Sequence, residues 1–176
     1  FVDPKWPAAL KNGEFDIVGD DDTLFDLKTS VDGFFVAIGD SIVREKKILW
    51  LRKNGFNVIS LIHPSASISK SASIGLGTIV MAGVTINSSV KVKDGVIVNT
   101  NSSVDHGCYV EKFSHICPGV NIAGDVVIGQ HTLLGIGACV VESVKIGEHV
   151  TVGAGSVVLS DIKSRSKVVG APARMI

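Results

Sequence analysis

From residue 62 onward every sixth position is aliphatic: Ile62, Ile68, Ile74, Val80, Ile86, Val92, Val98, Val104, Val110, Ile116, Ile122, Ile128, Leu134, Val140, Ile146, Val152 and Val158. All seventeen steps hold, with no insertion between them. Two residues before the steps runs a second series of small side chains, among them Ala66, Ala72, Thr78, Ser102, Cys108, Ser114, Thr132 and Ala138. A strict period of six predicts three short strands per coil of a parallel β-helix, with eighteen residues to the coil. At ~4.8 Å between stacked strands, nearly six coils make a prism about 27 Å long. The aliphatic and small series fill its interior, so function is expected at the corners.

Residues eighteen apart stack, and each corner therefore reads as a column. Leu76, Asp94, Lys112, Gln130 and Glu148 form a mostly charged column, expected to face solvent. Lys70, Ser88, His106, Gly124, Glu142 and Ser160 form another. The third corner pairs Pro64, Ala82, Thr100, Pro118, Ile136 and Ala154 with Ser65, Gly83, Asn101, Gly119, Gly137 and Gly155. That edge is small and uncharged, which marks it as a subunit contact or ligand groove.

Residues 1–61 follow a different pattern. Gly33–Ile38 is a short apolar run of the buried-strand type, and Gly39-Asp40-Ser41 leads into a helix expected over Ile42–Lys53, stopped at Gly55. Phe56–Leu61 reads as a further strand, and Ile17-Val18 with Thr23–Lys28 as a weak strand and short helix. Strand, helix and strand with short loops predict a parallel sheet. A sheet of this kind normally opens with a strand, a glycine turn and a helix; that unit is absent here. Either the chain is shortened at its N-terminus, which is the expectation, or its ligand there is not a nucleotide.

Composition agrees with the division. Both tryptophans and six of seven phenylalanines lie in residues 1–60, and a prism filled by valine and isoleucine has no need of them. Seventeen basic residues balance seventeen acidic ones, so there is no basic field for nucleic acid. No apolar run approaches the ~18 residues of a membrane span. Three cysteines without framework spacing point to free thiols and a cytoplasmic setting.

The repeat, with Ile-Gly at 74–75, 128–129 and 146–147, resembles that of the hexapeptide-repeat acyltransferases, as does the closing Val169-Gly170-Ala171-Pro172-Ala173-Arg174. Asn99-Thr100, Val104-Asp105-His106 and Phe113-Ser114-His115, followed by Pro118-Gly119, resemble the sialic acid O-acetyltransferase type. That type includes the UDP-4-amino-sugar N-acetyltransferases of bacterial glycan biosynthesis. The resemblance implies a left-handed parallel β-helix over 62–162, behind a small, N-terminally incomplete Rossmann-like α/β sugar domain over 1–61. A tail over 163–176 would cover the CoA site. It further implies a homotrimer with acetyl-CoA as co-substrate, no metal, and a nucleotide-linked amino sugar as acceptor.

Carried over by position, His106 is the general base, with Asp105 and Asn99 beside the reacting centre. His115, Gly124, Ile136 and Ala154 line the acetyl-CoA site, Gly124 leaving room above His106 for a substrate. Gly39 and Asp40 contact the sugar nucleotide, Asp40 equally serving as a helix cap, and Arg44 is placed to reach a phosphate or carboxylate. His106 and His115 lie half a coil apart, on different edges of one prism. They therefore require an active site shared between subunits. One departure concerns Gly107, where the N-acetylating branch carries an acidic residue.

Competing readings are weaker. Cys108 beside His106 invites an acyl-enzyme, but it occupies an inward position of the small series. His131 and His149 stack with Phe113 without a third ligand, and no two histidines lie five apart as a β-helical carbonic anhydrase needs. Sialic acid O-acetylation is the alternative reaction. A non-catalytic β-helical scaffold is the alternative of another class.

Overall fold

The repeat closes into three parallel sheets. Two-residue strands at 61–62, 79–80, 97–98, 115–116, 133–134 and 151–152 make the first face, extended by Lys167–Val169 and Arg174–Met175. Strands from 67–68 to 157–158 make the second, and strands from 73–74 to 145–146 the third. Ser103 pairs with Asn121 and Val104 with Ile122, the register of eighteen that the columns require. The computed structural model describes residues 1–176.

Burial follows the two series. From Val80 to Val158 every aliphatic step is at most 3% exposed, and Val84, Val90, Val96, Val120, Val126 and Ala138 are fully buried. Ile62, at the open end, is 51% exposed. Three inward hydroxyls are satisfied by corner carbonyls of the next coil, Thr78 donating to Lys93 O at 2.9 Å, Ser114 to Gly129 O at 2.8 Å and Thr132 to Gly147 O at 2.8 Å, while Ser102 donates to Asn99 O at 2.7 Å. A buried hydroxyl without such a partner would cost stability. From Gly77 to Gly155 each corner turns through a left-handed residue, such as Gly107 (φ +68°) or Phe113 (φ +60°).

The first sixty residues form a lobe against one corner. A hairpin pairs Lys11–Asn12 with Phe15–Asp16, α1 covers Leu24–Leu27 and α2 covers Ser41–Lys53. The expected parallel sheet reduces to single bridges, Val2 with Gly19 and Phe34 with Val58. These pairs do not join one another, so no ladder propagates. Ile48 and Leu51 of α2 pack with Leu24, Val36, Phe56 and Val58, and Phe113 of the β-helix completes that cluster.

The lobe corrects one expectation. The column Leu76, Asp94, Lys112, Gln130 and Glu148 is not simply solvent-facing, because α2 lies across its corner. A Cβ at Gly77 would sit 2.9 Å from Ile48 Cδ1, and Arg52 reaches Asp94 at 3.4 Å. Glycine at 77 and 95 lets the helix approach.

Candidate active site

His106 stands exposed on the corner between the second and third faces. Its ring lies over Gly124 of the next coil: a Cβ there would fall 2.5 Å from Cε1 and 2.7 Å from Nε2. The space foreseen for a substrate above His106 is therefore filled by the imidazole itself, and the missing side chain is what admits it. Asp105 Oδ1 accepts from the His106 main-chain N–H at 2.7 Å and from Asn87 Nδ2 at 2.8 Å. The Asn87 bond, then the backbone bond, lowers the Asp105 pKa. Asp105 thus fixes the turn that presents His106 through its main chain.

The same corner explains Gly107. Its φ of +68° favours glycine, and a Cβ there would meet Asp125 Oδ1 at 2.0 Å. Asp125 itself donates its N–H to His106 O at 2.8 Å. A side chain after the histidine has no room while the carboxylate of the next coil covers that position.

His115 lies on the outer side of the first face, half-buried, with Nε2 3.2 Å from Asn99 Nδ2. Asn99 Oδ1 accepts from the Thr100 N–H at 2.8 Å and from Thr100 Oγ1 at 3.3 Å. That assignment leaves Nδ2 as the donor, so Nε2 of His115 is the acceptor and its proton sits on Nδ1. Burial, and then the charge of Arg44, lower the His115 pKa. Both effects favour the neutral ring, whose Nδ1–H has no partner within the chain.

The remaining candidates fall in two places. Ile136, 61% exposed, and Ala154, also exposed, stack on the smooth corner. Around them Gly119, Gly137 and Gly155 have nothing within 4 Å of a Cβ position. Gly39 and Asp40 start α2, where Asp40 Oδ1 accepts from Ile42 N–H at 3.0 Å and Val43 N–H at 2.8 Å. Asp40 is the N-cap of that helix. His106 with Asp105 and Gly124 thus forms one group, His115 with Asn99 a second, and the smooth corner a third. The chain does not bring the two histidines together.

Two further residues take settled places. Cys108 is 1% exposed, its thiol reaches Ala123 O at 3.1 Å, and burial pushes its pKa up to about 11. Such a thiol is not a nucleophile near neutral pH. Arg44 is 1% exposed and bonded to four main-chain carbonyls, so it does not reach for a phosphate. One signal announced this: Arg44, Ile48 and Leu51 share a helix face at i, i+4 and i+7. A charge on an otherwise buried face calls for a specific partner.

Coils of eighteen residues, left-handed corners and a closing antiparallel strand define a hexapeptide β-helix, and comparison with known proteins agrees. The chain belongs to the hexapeptide-repeat acyltransferases, with their left-handed parallel β-helix. The bacterial transferase hexapeptide model (six repeats) matches residues 125–160. The chain is 36% identical to the acetyltransferase domain of PglB from Neisseria gonorrhoeae FA1090, solved with acetyl coenzyme A. That match covers 100% of this chain and 85% of the other, with a TM-score of 0.95. PerB from Caulobacter crescentus, solved with CoA and GDP-perosamine, is 40% identical over 99% of this chain and 83% of its own, with a TM-score of 0.92. GDP-perosamine N-acetyltransferase of Escherichia coli O157:H7 is 29% identical over 107 residues, 61% of this chain. The chain spans about half the length (48%) of that curated relative.

No group of three or more His, Cys, Asp or Glu is arranged to hold a metal ion. No helix is long and apolar enough to cross a membrane.

Proposed function

We propose that the chain is an acetyl-CoA-dependent N-acetyltransferase acting on the amine of a nucleotide-linked sugar, assembled as a homotrimer with its active sites between subunits. The observation that carries this is the pair of differently prepared histidines. His106 is exposed on its corner, whereas His115 is half-buried, with Nε2 against Asn99 and its pKa lowered by burial and then by the charge of Arg44. The first suits a general base and the second a hydrogen-bond donor to an acyl oxygen. They lie on different sides of one prism, so a single site with both needs a neighbouring copy.

In this reading His106 takes a proton from the acceptor amine as its nitrogen attacks the thioester carbonyl. The C–S bond then breaks, and the CoA sulfur leaves as a thiolate that takes up the proton. Nδ1–H of His115 faces the thioester oxygen, Ile136 and Ala154 line the pantetheine path, and Gly39 with Asp40 lies toward the sugar nucleotide. The solved relatives support this acceptor class, since PerB carries CoA and GDP-perosamine together. Three free cysteines, two of them buried, suit a cytoplasmic role in surface-glycan synthesis.

The test is thiol release from acetyl-CoA with GDP-, UDP- and dTDP-linked 4-amino sugars and with sialic acid. Amino-sugar turnover that falls about 10²- to 10⁴-fold in His106→Ala establishes reaction and base together. Turnover with sialic acid alone moves the reaction to O-acetylation. Absence of both turnover and acetyl-CoA binding leaves a β-helical scaffold. Sedimentation of the protein as a monomer throughout turnover overturns the shared site.

A further inference from the structure

We propose that Arg44 is a positioning residue of the acetyl-transfer site, fixing the Gly39 loop against the corner that leads into the His115 strand. The inference rests on the acetyltransferase reading above, and it concerns a side chain that contacts neither proposed substrate.

The guanidinium is buried at the seam between lobe and β-helix. Its Nη1 donates to Ile38 O at 2.9 Å and to Gly39 O at 2.7 Å, both in the loop ahead of α2. Its Nε donates to Gly95 O at 2.8 Å and its Nη2 to Phe113 O at 2.6 Å. Gly95 and Phe113 stack in successive coils, both left-handed at φ +67° and +60°. One rigid planar group therefore ties two carbonyls of the sugar-side loop to two carbonyls of the corner.

No carboxylate forms an ion pair with Arg44, and Asp40 alone adds a favourable long-range charge. A buried cation on carbonyls gains little for stability that an apolar side chain would not supply. Only a guanidinium, with five donors in a fixed fork, meets four carbonyls at once. That pattern fits a residue kept for registration.

The link to the reacting centre is short. His115 lies two residues beyond Phe113, and its Nε2 is fixed by Asn99. Arg44 also acts on His115 through charge, second to burial, in the direction that keeps the ring neutral. Of the other charged groups at this seam, Asp40 acts on Arg44, while Glu45, His149, Arg44 and Glu148 act on His131, which stacks on Phe113. A protonated His115 would direct an N–H at the Asn99 amide and lose that bond.

Arg44→Lys and Arg44→Gln in the full chain test the proposal by two readouts. Lysine keeps the charge but cannot span four carbonyls. It is expected to raise KM for the amino sugar about tenfold, to leave acetyl-CoA binding within about twofold, and to leave His115 neutral by NMR titration. Glutamine should show the same sugar effect together with a higher His115 pKa. Unchanged sugar KM in both variants overturns the proposal. Equal weakening of sugar and acetyl-CoA, or failure of Arg44→Lys to fold, does so too, by showing a purely structural role. The His115 titration and acetyl-CoA binding need no turnover, so they judge Arg44 separately. An inactive wild type would instead count against the acetyltransferase reading.

Discussion

The β-helix and the lobe bury their cores by different rules. In the β-helix each coil repeats the one below, and fourteen successive steps from Val80 to Val158 are filled by valine, isoleucine or leucine at 3% exposure or less. Neighbouring coils support each step equally. The lobe instead depends on individual shapes: Phe56 meets Phe25 and Phe34 edge-on at 5.2 and 5.0 Å and stacks on Trp50 at 5.8 Å. Its cluster is completed by Phe113, which the β-helix contributes. The lesson lies at the seam. A repetitive scaffold can spare its corners, and a small lobe borrows one of them, which ties the loop ahead of α2 through Arg44 to the corner at Phe113, two residues before His115.

The largest expected effects separate the two regions. Ile116→Ala opens a cavity between coils and should cost about 2–5 kcal/mol, and Phe113→Ala about 3–5 kcal/mol. The sums are similar but the places differ. Hydrogen exchange should show loss of protection through the coils around residue 116 in the first variant. In the second it should be confined to the lobe and α2, with the coils beyond residue 134 intact. A uniform loss in both variants would make the chain one cooperative unit and erase the comparison.

A smaller effect distinguishes corner from core within the β-helix. Gly124 carries no left-handed strain, so alanine is acceptable to the backbone. Its Cβ would nevertheless fall 2.5 Å from His106 Cε1, and the ring must move away. Gly124→Ala should lower kcat/KM about 10- to 100-fold while the melting temperature changes little. An unchanged rate would show that the ring does not work from its place over Gly124. Gly119→Ala is no control, because φ +67° strains any side chain there.

How much of this was legible beforehand follows the same division. The ladder, its register of eighteen, the inward place of Cys108 and the stacking of His131 with His149 could all be read from Ile62 onward. A period repeated seventeen times leaves no competing structure. α2 and its Asp40 start signal were legible too, because a cap is a local interaction. The covered corner at Gly77 and Gly95 was not, since it depends on where the lobe docks, a contact between residues up to 69 apart. Arg44 failed for the same reason: its acceptors are main-chain carbonyls, which carry no residue identity. The fit of Asp125 over Gly107 also escaped, because a spacing of eighteen says which residues are neighbours and not which way a carboxylate folds.

The smallest effect is a pH dependence written into the seam. Burial is the main cause that lowers the pKa of both His115 and His131; the His131 side chain is 5% exposed, 3.3 Å from Glu45 through Nε2, with Nδ1 unpartnered. The sign follows from proton binding. In the unfolded chain these imidazoles titrate near ~6.5, so from there down to their folded values the unfolded state holds more protons and stability rises with pH. Stability is therefore full above the ordinary histidine value and is lost as the solution is acidified through the lower folded values. Melting temperatures at pH 8, 6.5 and 5 should fall in that order. His131→Phe, placed between Phe113 and His149 in a stack spaced 5.5 and 4.8 Å, should flatten the slope by removing one of the two groups. Persistence of the full slope would assign it to His115 and thus to the site side of the seam. A slope of opposite sign would mean that Glu45 holds His131 charged, and that the lobe is docked by an ion pair instead of by packing.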